Sequence, residues 1–197
     1  MTRTTLAAPL CALALTALAA PALAHSELAG DSGFVSGLLH PVLGLDHVVA
    51  MVAVGLWGAF LGAPALWLLP VVFPLVMAMG GALGVLGVPL PAVEAGIAAS
   101  AIVLGAMVAL ALRPPLWVAA ALVGAFAVFH GHAHGTELPE AAGPIGYSLG
   151  FVIATGALHL AGITLGMLTR WPGGRVAVRV GGGLVAATGA AFLFGLA

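Results

Sequence analysis

Apolar runs of helical length follow one another along this chain with only brief interruptions, and hardly any of them carries a polar face. Runs at about 34–60, 65–87, 91–112, 115–133, 144–169 and 176–196 are each long enough to cross a bilayer as a helix. Gly62-Ala63-Pro64, Gly87-Val88-Pro89, Arg113-Pro114-Pro115 and Trp171-Pro172-Gly173-Gly174 punctuate them, as expected where helices end and the chain turns. Only the stretch His134 to Gly143 forms a notably polar connection. Helices that are apolar all round belong in a core or in lipid, whereas strands of a barrel would alternate apolar with polar residues. The pattern predicts an all-α, polytopic membrane bundle with six transmembrane helices.

Composition agrees. Of 197 residues, 62% are hydrophobic and 6% charged, outside the range of soluble domains. The formal net charge of -1 and the lack of a basic patch exclude nucleic acid as a partner. Met1-Thr2-Arg3, the apolar run Leu6 to Leu23 and the small-residue pattern Ala22-Leu23-Ala24 together read as a signal peptide over 1–24, cut after Ala24. An uncleaved first helix is the alternative. Cleavage leaves 25–197 as one transmembrane domain whose first residue, His25, lies outside the cytoplasm. Cys11, the single cysteine, departs with the signal, which excludes thiolate zinc, iron-sulfur and copper sites from the mature chain. With the start outside, Arg113, Arg170, Arg175 and Arg179 all fall on the cytoplasmic side, as the positive-inside rule requires. The acids Glu27, Asp31, Glu94, Glu137 and Glu140 fall at the outer side, and both termini end up outside. Glycine pairs four apart, such as Gly80 and Gly84 or Gly146 and Gly150, permit close helix packing within the bundle or against a second copy in a homo-oligomer.

Against this apolar background the polar residues stand out. His40, Asp46 and His47 open the first run, where ionisable groups are costly without partners or a task. On a straight helix the two imidazoles share a face but lie about 10.5 Å apart along it, so Pro41 and Gly44 must bend the segment if both are to serve one ion. Asp46 can ligate beside them or orient an imidazole. His130, His134 and Glu137 at the end of the fourth run recur at steps of four and three and share a helical face, while His132 points elsewhere. Paired histidines one turn apart can chelate a divalent ion, with Glu137 completing the set; a solvated His-rich loop is the bland alternative. Topology brings the start of the first run and the end of the fourth to the same outer surface, where Glu94 and His25 can join them. His159, one turn from Thr155 in the fifth run, lies deeper, as an onward ligand or a packing residue. Met51, a turn beyond His47, reads as core filler with a thioether to spare.

His40-Pro41 with Gly44-Leu45-Asp46-His47, then Met51, Val54, Gly55 and Trp57, resembles the first-helix signature of the HupE/UreJ family of nickel and cobalt permeases. Phe129-His130-Gly131 with Ala133-His134-Gly135 and Glu137 resembles its fourth-helix signature, and Glu94 through Ser100 and Leu158-His159 are similar to it as well. The resemblance covers nearly the whole mature chain. It implies secondary uptake of Ni²⁺, or Co²⁺, across the inner membrane of bacteria that load hydrogenase or urease, with metal as cargo, no permanent cofactor and no enzymatic activity. Imidazole and carboxylate alone do not select nickel, since they also suit Co, Zn and Cu(II). No GxxxxGK[ST] phosphate loop is present, so the chain carries no evident ATPase. Two other readings use the same residues: an intramembrane metal-dependent hydrolase, in which an open zinc position activates water, and a heme protein with axial histidines.

Overall fold

The structure, a computed structural model, describes residues 33–138 and 143–196. The signal peptide expected at 1–24, His25 and Glu140 lie outside the described residues. Seven helices and no strands occur among those described: α1 Gly33–Leu43, α2 Leu45–Leu61, α3 Ala65–Val85, α4 Val93–Ala109, α5 Leu116–Thr136, α6 Pro144–Gly166 and α7 Pro172–Leu193, with a 3-10 turn Met167–Arg170 extending α6.

One run departs from the expected single helix. The first, read at 34–60 as one span, is two helices that meet at an angle of 80°. Gly44 adopts an extended conformation between them (φ -88, ψ 107), and Pro41, inside α1, has no N–H to give the last turn. A side chain at 44 would also crowd the pair behind it, since a Cβ there would lie 3.0 Å from Asp46 Oδ1 and 3.1 Å from His47 Nδ1. Four helices, α3, α5, α6 with its 3-10 extension, and α7, are each long and apolar enough to span a membrane. The bent pair brings this to five, and α4 is a shorter apolar helix of 17 residues.

α2 is the central helix. It packs against α1, α3, α4, α6 and α7, and Met51, Ala53, Val54 and Trp57 along it are fully buried. Around it α3 pairs with α5, α4 with α7, and α1 with α6. Missing side chains make the α3–α5 contact close: a Cβ at Gly131 would collide with the Met77 carbonyl, and one at Gly135 with that of Gly81. The outward faces are as apolar as the interior, with Trp67, Leu75, Met79, Ile145 and Leu184 all more than half exposed. Exposure on this scale is what lipid, and not water, permits.

Candidate metal site

The polar side chains singled out in the sequence gather at one end of the bundle, but not in the groups that spacing along each helix suggests. Gly44 turns the chain so that His40, in the last turn of α1, and His47, in the first turn of α2, approach the same residue from two sides: His134 near the end of α5. Ring centroids lie 4.9 Å apart for His40 and His134 and 4.3 Å apart for His47 and His134. Just past α5, Glu137 Oε2 lies 3.4 Å from His40 Nε2. Among the described residues, His40, His134 and Glu137 form a group of three whose candidate ligand atoms all fall within 4.8 Å of one another. Ligand atoms around a tetrahedral ion are about 3.3 Å apart, given bonds of about 2.0 Å, so small side-chain movements close the set. Hydrogen bonding to His40 holds the Glu137 carboxyl below the usual carboxylate range, with burial opposing it. The group is therefore anionic at neutral pH, as a cation ligand should be.

His130, expected to act with His134 and Glu137 on one helical face, faces inward instead. Its ring meets that of His47 edge-on at 4.9 Å, and its Nε2 lies 2.9 Å from Ser100 Oγ on α4. Asp46 is an orienting group here, since its Oδ1 accepts a hydrogen bond from His47 Nδ1 at 2.9 Å. Tyr147 and Phe151 of α6 wall the side of His40 and His134, with Phe151 4.3 Å from the His134 ring. Beneath His130, the fully buried Phe73 ring lies 5.5 Å away. His159, 1% exposed, lies 5.3 Å from the same Phe73 ring, with neither ring nitrogen hydrogen-bonded among the described residues. Thr155, one turn before it, is likewise buried and unpartnered.

The accessory residues separate. His132 donates its Nε2–H to the Val88 carbonyl at 2.8 Å and so ties the α3–α4 connection to α5. Met51 is fully buried in the apolar core around α2. Glu94 is exposed in the first turn of α4, where a carboxylate also suits the helix dipole; among the described residues no ion pair joins it to the cluster. Two residues packed against this group, Ser100 and Phe73, were given no individual role from the sequence, although Ser100 ends a segment that resembles the family. Ser100 is the one polar residue of α4 beyond Glu94 in its first turn, which is a usable signal, whereas nothing marks Phe73 among the chain's eight phenylalanines.

A multi-pass helical bundle with imidazoles and carboxylates converging at one end of an apolar interior defines a class: membrane proteins that carry cation-ligand chemistry inside the bundle. Within that class the chain belongs to the HupE/UreJ family. The model described as HupE / UreJ protein matches residues 13–192. Protein HupE of Rhizobium leguminosarum bv. viciae is 48% identical over 182 residues, which cover 92% of this chain and 95% of that protein. No solved structure matches the chain. Proteins of this family are permeases, which places the chain among multi-pass transporters and not among enzymes. The hydrolase reading finds no support in either comparison.

Proposed function

We propose that the protein is a secondary permease of a bacterial inner membrane that carries divalent transition-metal ions inward, Ni²⁺ first and Co²⁺ second, for metalloenzyme maturation. The observation that carries this reading is the convergence of His40, His134 and Glu137 within ligand distance at one end of the bundle, continued into the apolar interior by His47 and His130. Membership of the HupE/UreJ family supports nickel or cobalt as the cargo.

Six crossings follow if the bent pair α1–α2 counts as one and the shorter α4 as another. Arg113, Arg175 and Arg179 make their contacts at the end opposite the histidines. The positive-inside rule then sets that end in the cytoplasm and the histidines outside, in accord with a signal peptide at 1–24. The ion is captured at His40, His134 and Glu137, moves to His47 and His130 beside Asp46, and passes Phe73 to reach His159. No nucleotide is needed: a doubly charged ion moving inward gains about 4.6 kcal/mol across about 100 mV, enough for roughly a thousandfold accumulation. Each stop has to bind weakly enough to let go.

Purified protein in liposomes tests this directly. Radioactive nickel should accumulate in the lumen under an inside-negative potential, and substitution of His40, His47 or His134 by Ala should abolish the uptake. Equal uptake by wild type and all three variants would falsify the proposal, and competition by Co²⁺, Zn²⁺ and Cu²⁺ in the same assay ranks the cargo.

A further inference from the structure

Hydrogen-bond bookkeeping decides which nitrogen each buried imidazole has to spare. Ser100 Oγ donates its single hydrogen to the Ile97 carbonyl at 2.6 Å. Towards His130 Nε2, at 2.9 Å, that oxygen can then only accept, so Nε2 carries the ring hydrogen. A neutral imidazole has one N–H, which leaves the lone pair of His130 on Nδ1. That atom is buried without a partner among the described residues. The same logic holds for His47: Asp46 Oδ1 takes the Nδ1–H, and the lone pair is left on Nε2, also buried and unpartnered. His134, whose ring lies 4.3 Å from that of His47, has no partner for either nitrogen. The His130 and His134 rings thus each lie against that of His47, all three with unused nitrogens inside an apolar bundle where an unmade hydrogen bond is costly, and two of the three have their spare nitrogen chosen by a neighbouring side chain.

We propose that His47 Nε2, His130 Nδ1 and His134, once their rings turn toward an ion, form a second, all-nitrogen station for a borderline divalent cation, deeper than the group His40, His134 and Glu137, whose candidate ligand atoms already lie within 4.8 Å of one another. Ser100 is the positioning residue that selects Nδ1 of His130 as its ligand. The inference rests on the transport reading and deepens it. His134 belongs to both stations, and a neutral imidazole has one lone pair, so the two are alternatives: an ion at one excludes an ion at the other. The carboxylate is present only at the outer station, which makes the step inward an exchange of an oxygen donor for nitrogen donors.

The test uses the full chain in lipid nanodiscs with Co²⁺ as a spectroscopic probe and Ni²⁺ for stoichiometry. Wild-type protein should bind one ion per chain across the two stations. Removing the outer station with His40→Ala and Glu137→Gln together should leave a visible Co²⁺ spectrum typical of nitrogen ligands. Adding Ser100→Ala to that background should weaken binding by about 10–100-fold, the usual effect of losing a group that orients a metal-bound histidine, and Ser100→Thr, which keeps the hydroxyl, should restore it. Two ions bound per chain, or a Co²⁺ spectrum indifferent to Ser100→Ala, would overturn the proposal. If the Ser100 variants fail to fold, the imidazole ¹⁵N signals of the wild-type protein give the answer instead: Nδ1 of His130 should be the unprotonated nitrogen, and a protonated Nδ1 overturns it. Binding and spectra need no flux, so wild-type liposomes that bind metal but take none up would refute transport and leave the inner station standing.

Discussion

At the arginine end of the bundle, polar groups cover backbone that would otherwise lack partners. Arg179 Nε donates to the Ala109 carbonyl at 2.7 Å, Arg175 Nε to that of Thr169 at 3.0 Å, and Trp57 Nε1 to that of Leu112 at 3.2 Å, while the Arg113 guanidinium sits 4.6 Å from the centre of the Phe60 ring. At the histidine end, His47, His130, His132 and His134 each keep at least one buried ring nitrogen with no partner among the described residues. A membrane protein that needed only stability would treat both ends alike, because an unpartnered buried polar atom costs about 1–3 kcal/mol wherever it lies. Under the proposed function, the imbalance marks the end of the bundle where the cargo ion is bound. The arginine end caps helices, and the histidine end keeps unused nitrogens that, under the proposed function, a cation takes up.

That contrast predicts a graded set of effects. His134→Ala should be the most severe, since the residue is common to both groups of ligands. Nickel uptake by liposomes should fall by more than about a hundredfold, beyond the loss usual for residues that only orient ligands, and a variant with a tenth of wild-type uptake would break the comparison. Asp46→Asn should come next, lowering uptake about tenfold while thermal stability stays near that of the wild type, because the amide can no longer be relied on to accept from His47 Nδ1. Gly131→Leu probes the same end by packing: it forces α5 off α3 and should destabilise the fold by about 3 kcal/mol, seen as a lower unfolding midpoint in nanodiscs. Arg179→Ala should be the mildest, costing at most about 1 kcal/mol for an exposed hydrogen bond and leaving uptake within twofold. An arginine variant that lost uptake without losing stability would show that the second end, too, takes part in transport.

Much of this was legible before any coordinates. Helical class follows from runs of apolar residues too long for strands, and the meeting of His40 and His47 with His134 and Glu137 at one surface follows from counting crossings. Grouping within that surface was not legible. Helical spacing joins His130 to His134 and Glu137, yet the structure divides them, because a helix in lipid has no polar face to show which side looks inward. His130 turns to Ser100 on α4, a partner thirty positions away in the chain, and such contacts leave no trace in local periodicity. The break in the first run was half visible: Pro41 and Gly44 raise the chance of an irregular turn, but only the extended Gly44 and its 80° corner show that the segment is two helices.

That corner changes what the spacing of the two histidines means. Within one helix, each added or deleted residue rotates everything beyond it by about 100°, so ligand positions are locked to a count. A corner uncouples the rotational phase of the two arms, and α1 can settle against α6 while α2 settles among the helices around it, each presenting its imidazole on its own terms. The seven-residue interval between His40 and His47 is then a property of where the corner falls and carries no helical meaning. Relatives with a longer or shorter interval could present the same pair of rings to His134, provided an extended residue with room beside it stands at the bend.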